Sequence, residues 1–323
     1  MPATPKHQSR PKAQRKSSRI VPLLLALAGI ALLLYPVFAT QWNNYRQNQI
    51  TTYYAQQVQE PQRIEALEES LAAARRYNEN TPGAPILDPW LARVSQNNNP
   101  YQAYLAQLNV LDQMGQLLIP KINVNLPIYH GTETQTLERG IGHLYGSSLP
   151  VGGPGTHAVL TGHTGLTTAT LLDHLDQLQV GDAFYLNVAG QRMKYVINST
   201  IVVEPSEVET LRAQAGKDLV TIITCTPYGI NSHRLLVTGE RAPLDDPAEA
   251  QFTPGFMLTW SLWMIIAMAA AGIMLVLLLW WLRRGSGRRR REPASKSPTR
   301  RNRVRGNRKT EVNLDSAMGQ KHA

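Results

Sequence analysis

Two uncharged apolar runs, residues 20–39 and 256–282, constrain this 323-residue chain more than any other feature. The first is rich in Leu and Ala, and a helix of its length crosses the roughly 30 Å hydrocarbon core of a bilayer. It is longer than the usual core of a cleavable signal peptide, about 7–15 residues. We therefore read it as a signal-anchor, while Val37-Phe38-Ala39 leaves a cleavage site open. The second run carries Trp260 and Trp263 near one end and Trp280 and Trp281 near the other. Aromatic residues collect at both membrane–water boundaries in this way. A buried core helix of that length with those flanks is the weaker reading.

The charge distribution orients the two runs. The chain is formally +10, which by itself suggests nucleic acid as a partner. Residues 1–19 hold six Lys or Arg and no acid, however, and residues 283–323 hold fourteen against three. That leaves thirteen basic against twenty acidic residues in 20–282, so no nucleic-acid groove is expected there. Basic segments beside apolar spans stay in the cytoplasm. Both termini are thus expected inside and residues 40–255 outside.

Between the spans, residues 40–77 read as a helical segment interrupted at Pro61, with apolar faces at Ile50, Tyr54 and Val58, then Ile64, Leu67 and Leu71. Residues 78–114 form a loop and connector, of which 78–100 hold four prolines; an apolar tip, Pro85-Ile86-Leu87-Asp88-Pro89-Trp90, stands within it. From residue 115 to 243 the pattern changes to short β-type runs bounded by turn residues. Candidate strands cover 116–122, 126–129, 158–163, 183–188, 193–203, 219–224 and 234–241, with a short helix or turn at 166–178. Seven or eight such strands in so short a stretch indicate a mainly β domain, a closed barrel or a sandwich. A linker at 244–255 leads to the second span, and the tail after it is too polar to fold alone.

The chain has one cysteine, Cys225, so no intrachain disulfide is possible. A lone Cys is usually a small buried hydrophobe; its surroundings argue otherwise. The β-branched run Thr221-Ile222-Ile223-Thr224 ends at Cys225, and Pro227, Gly229 and Asn231 then supply turn chemistry before Arg234. If the two strands pair, Cys225 and Arg234 face one another at a hairpin mouth. A guanidinium there favours the thiolate and can stabilise an oxyanion. A cysteine nucleophile also needs a proton shuttle, for which histidine is suited. Six histidines lie in the β region, and spacing alone does not choose among them. His163 stands at a strand end in Gly162-His163-Thr164-Gly165, where a side chain would be exposed at a rim.

These residues resemble a known family. The Thr221–Arg234 hairpin is similar to the signature of sortases, with Ile222 where Leu is usual. Thr226-Pro227-Tyr228-Gly229-Ile230-Asn231-Ser232-His233-Arg234 resembles the class C, pilus-assembling branch. So does the stretch from Gly146 through His157 to His163, although Thr164 stands where many members carry Arg. The resemblance implies an eight-stranded sortase-type β-barrel with an N-terminal helical segment, flanked by two transmembrane helices. It implies Cys225 as nucleophile, His163 as acid/base and Arg234 as the substrate and oxyanion residue. Asp88 and Trp90 would form a lid, the Asp approaching Arg234 and the aromatic covering Cys225.

The implied reaction is transpeptidation. The enzyme cleaves an LPxTG-like signal between Thr and Gly through a Cys thioester and passes the acyl group to a pilin lysine. The partners are then pilin or surface-protein substrates and membrane lipid. No metal motif is visible, and the chemistry requires no cofactor. Two alternatives remain open on sequence: a sortase that anchors proteins to the cell-wall precursor, and a non-catalytic two-span binding protein.

Overall fold

A computed structural model describes residues 20–80, 98–207, 209–244 and 260–287. It divides into two compact units, Met1–Val276 and Leu277–Ala323, with the boundary inside the last helix. Eight strands of the first unit close into a barrel: β1 (Gly115–Ile119), β2 (Val124–His130), β3 (Ile141–His143), β4 (Thr156–Thr161), β5 (Ala183–Val188), β6 (Gln191–Val203), β7 (Asp218–Thr226) and β8 (His233–Ala242). Round the barrel the order is β1-β2-β3-β4-β7-β8-β6-β5. The β2–β3 and β4–β7 pairs are parallel, and the other six are antiparallel.

The seven strands expected from sequence are all present, the run 183–188 with the expected ends and the other six with shifted ones. The first stops at Ile119 because Pro120–Ile122 turns into a 3-10 helix that ends at left-handed Asn123. The sequence reading missed β3, whose three residues Ile141-Gly142-His143 carry one aliphatic side chain and no alternation. Gly142 is there for closeness: a Cβ would lie 2.3 Å from the Gly131 carbonyl oxygen. The short helix or turn expected at 166–178 is a series of turns with a 3-10 helix at Leu175–Gln177.

Alternation along the strands separates two apolar clusters. Val220 and Ile222 of β7 point into the barrel with Leu160, Leu235 and Val237. Ile223 lies on the opposite face with Val159, Leu236, Leu144 and Leu211. Period-2 geometry puts Cys225 and Arg234 on that outer face too.

Five helices complete the described chain: α1 (Ile20–Gln57), α2 (Ile64–Asn80), α3 (Asn99–Leu105), α4 (Thr134–Arg139) and α5 (Leu262–Gly287). Where sequence suggested a span followed by a separate helix, α1 is one unbroken helix of 38 residues with Pro36 inside it. Its second half packs on the barrel through Tyr54 and Val58, which meet Leu67 of α2. Leu67, Leu71 and Ala74 bury one stripe of α2, whereas Ile64, at its first position, stays exposed. Helix α3 lies inside the segment read as connector. Helices α1 and α5 are both long and apolar enough to cross a membrane. In the second unit, the Arg284 guanidinium sits 3.8 Å from the centre of the Trp280 ring. Asp88 and Trp90, the lid residues, lie outside the described residues.

Candidate active site

The site is built where three strands end together. Strand β4 runs parallel to β7 with Thr161 opposite Ile223, so two further residues bring His163 beside Cys225. Three hydrogen bonds fix this junction. Gly162 N donates to Ile223 O (3.1 Å), Thr161 Oγ1 donates to the same oxygen (3.3 Å), and Thr224 Oγ1 donates to Gly162 O (2.8 Å). Antiparallel pairing across the β7–β8 hairpin sets Cys225 directly opposite Arg234. The structure thus brings together all three residues singled out from sequence.

The hairpin loop holds Arg234 in place. Ile230 N and Asn231 N both donate to Pro227 O, at 3.0 and 2.9 Å, and Asn231 adopts a left-handed φ of 61°. Asn tolerates that region better than most residues. The turn directs its carbonyl inward, and Arg234 Nη1 donates to Asn231 O and His233 O, each at 3.1 Å. Cys225 is 8% exposed and Arg234 7%, so both are largely screened from water. Charge-assisted bonds strengthen as water is excluded.

His163 is half-buried. Burial lowers its pKa from the usual imidazole range, and the Glu138 carboxylate on α4 partly opposes that shift. Its loop is closed by hydrogen bonds: Leu172 N donates to His163 O (3.2 Å), and Asp173 Oδ1 accepts from Gly165 N (2.8 Å) and Thr164 Oγ1 (3.2 Å). Burial raises the pKa of Asp173, while these two donors pull it down.

A family model described as Sortase domain matches residues 117–242. Sortase C-1 from Actinomyces oris superposes with a TM-score of 0.55 at 56% identity, covering 56% of this chain and 99% of that one. The chain belongs to the sortase family.

Two further solved sortases are similar. A lid mutant of sortase A from Corynebacterium diphtheriae is 46% identical, with a TM-score of 0.53 over 58% of this chain and 98% of its own. Sortase C of Streptococcus pneumoniae, whose structure was reported for insights into catalysis and pilin substrate specificity, is 39% identical; its TM-score is 0.56, over 60% of this chain and 97% of its own. The chain spans 48% to 63% of the length of the curated sortases it matches.

The other five described histidines of this sortase have structural surroundings. His157 joins Thr221 Oγ1 (2.7 Å) and Arg212 O (3.1 Å), fastening the chain between β6 and β7 over the outer face. His143 is fully buried and lowered to about 4, desolvation being the main cause. Its Nε2 donates to Ser148 O at 2.8 Å, which leaves Nδ1 to accept from Tyr104 OH at 3.0 Å. His130 Nε2 contacts Gln107 O at 2.7 Å, and burial lowers it as well. His174 and His233 pair with Gln177 and Ser232 near the surface.

Sequence reasoning missed the residues that hold the His163 loop. Asp173 has no motif of its own. From α1, Thr40 Oγ1 donates to Thr167 O (3.1 Å), Asn43 Nδ2 to Thr168 O (2.8 Å), and Asn44 Nδ2 to Thr170 Oγ1 (2.9 Å). Asn44 Oδ1 also accepts from Thr170 N at 3.2 Å. Among the described residues no group of His, Cys, Asp and Glu is arranged to hold a metal ion.

Proposed function

We propose that this sortase is a cysteine transpeptidase that joins pilin subunits outside the cytoplasmic membrane. The observation that carries the reading is the pairing of Cys225 with Arg234 across the β7–β8 hairpin, beside the end of β4 that bears His163. Similarity to sortase C of Actinomyces oris and of Streptococcus pneumoniae supports the pilus branch.

The substrate is an LPxTG-like segment of a pilin or other surface protein. Cys225 Sγ attacks the Thr carbonyl carbon, and its proton passes to His163. Arg234 faces the oxygen that becomes negative, where a fixed cation lowers the barrier most. His163 gives the proton to the Gly nitrogen as the Thr–Gly bond breaks, leaving a thioester on Cys225. A lysine amine of the next subunit then attacks the thioester carbonyl and loses a proton to His163. The isopeptide bond forms and the thiol is restored. Because burial lowers His163, its neutral form prevails at neutral pH, as acceptance of a proton requires. The reaction uses no metal or organic cofactor.

Asp88 and Trp90 form a lid over this site in the same reading, supported by their sequence context and by the similar Corynebacterium protein having been studied as a lid mutant. Helices α1 and α5 span the membrane with both basic tails in the cytoplasm, supported by their length, apolar surface and flanking charge.

The test is incubation of the full chain, in detergent or vesicles, with a purified pilin bearing the signal. Covalent ladders that survive boiling in detergent are expected, and none with Cys225→Ala. Transfer only to a cell-wall precursor would establish the anchoring reaction instead, and an undiminished function in Cys225→Ala would reject catalysis altogether.

A further inference from the structure

The order in which α1 touches the barrel fixes which end of the barrel lies nearest the bilayer. The first twenty residues of α1, 20–39, present exposed Leu, Val, Ile, Tyr and Phe side chains and match the thickness of the apolar core, about 30 Å. Immediately beyond them stand Trp42, 61% exposed, and Tyr45, with ring centroids 6.0 Å apart. Exposed Trp and Tyr in that position mark the headgroup level.

At that same level Thr40, Asn43 and Asn44 hold Thr167, Thr168 and Thr170, the loop that follows His163. Further along, Asn48 Oδ1 accepts from Asn125 Nδ2 (2.7 Å) on the flank of β2. Further still, Tyr54 OH donates to Met114 O (3.3 Å) and accepts from Ala189 N (2.8 Å) in the β5–β6 turn. That turn lies at the barrel end opposite Cys225, because β6 leaves it and reaches Arg234 only at its other end, Val203. From Thr40 to Tyr54 the helix rises about 21 Å. Moving away from the membrane along α1, one therefore passes from the catalytic end to the far end.

A second contact agrees. Gln41 Nε2 approaches Met264 Sδ at 3.5 Å, near the start of α5, so the second apolar helix meets α1 at the catalytic level too. Tyr228 and Ile230 of the β7–β8 loop are 58% and 72% exposed at this end. The loop lies against the His163 loop, since a Cβ on Gly165 would come within 3.9 Å of the Tyr228 ring.

We propose that the catalytic mouth of the barrel faces the bilayer at headgroup height, with Tyr228 and Ile230 in contact with the lipid interface. This goes beyond the transpeptidase reading: it rests on α1 and α5 as membrane spans and not on the chemistry of Cys225.

The orientation is tested in a Cys225→Ala background with single cysteines at Thr167, Ile230 or Arg192, the last beside the far turn. Each full-length protein carries a fluorophore and is reconstituted in phosphatidylglycerol/phosphatidylethanolamine vesicles containing headgroup-nitroxide lipid. Quenching at positions 167 and 230 but not at 192 is the expected result. Quenching at 192 alone, or at none of the three, overturns the proposal.

A soluble signal peptide offered to the wild-type full chain separates the two readings: failure of Cys225 to form a thioester with it would reject the transpeptidase reading and leave the quenching result standing.

Discussion

At the scale of single residues, His163 balances two opposing influences. Burial favours its neutral form, and the exposed Glu138 carboxylate favours the charged one. Activity that depends on the neutral imidazole is lost as pH falls through its lowered pKa, so the acidic limb of kcat/KM should lie below the usual imidazole range. Removing the carboxylate in Glu138→Gln should move that limb to still lower pH and leave the plateau rate unchanged. Because Glu138 is exposed, the difference between the two profiles should shrink in high salt. A pH–rate profile that does not move with this substitution at low salt would show that His163 does not set the limb.

The catalytic candidates were legible in sequence because each carries a local signal. Cys225 closes a β-branched strand, and Arg234 follows a turn-rich gap of eight residues. His163 stands out among six by its place between two glycines at a strand end and by family resemblance, whereas its nearness to Cys225 comes from parallel pairing of strands more than fifty residues apart. No sequence period records such a pairing. Asp173 and Asn44 were invisible for the same reason: their value lies in backbone groups they reach after folding.

At the scale of elements, the strands declared themselves in proportion to their length and alternation. The β6 and β7 runs were read nearly in full, while β3, with one aliphatic residue, was missed. The second half of α1 gave a weak signal because Thr40, Gln47, Thr51 and Gln57 are among its buried residues, and polar side chains do not mark an apolar face. The segment between α2 and α3, proposed above as a lid, belongs to this scale as well. If Trp90 covers the thiol, Asp88→Ala and Trp90→Ala should each speed modification of Cys225 by a methanethiosulfonate reagent, by about tenfold or more. The strength of a lost charge-assisted contact, about 1.5–3 kcal/mol, sets that scale. Identical labelling rates in wild type and both variants would refute the plug.

At the scale of the whole molecule, one buried group couples stability to acid. In the unfolded chain His143 takes up a proton near the ordinary value of 6.5, and in the fold only near 4. The unfolded state therefore binds more protons between these limits, and stability falls as pH drops from 6.5 towards 4. The full effect is about 3 kcal/mol at about 1.4 kcal/mol per pH unit, a large fraction of the roughly 5–15 kcal/mol that holds a domain together. The Tm of the full chain should decline across that range. In His143→Gln the Tm should start lower, because the Tyr104 and Ser148 hydrogen bonds are disturbed, but decline less steeply. Equal slopes would assign the acid sensitivity to other groups.

The unbroken α1 helix has a consequence for how this enzyme meets its partners. If α1 is the membrane anchor proposed above, the absence of a break between its two halves carries the reactive thiol as a fixed-height head that travels sideways with the lipid. Search then occurs in two dimensions, and its rate follows the number of donors per unit of cell surface instead of their concentration in bulk solution. On the pilin-joining reading, crowding donors into a small patch of membrane would speed fibre growth with no change in the amount of protein present.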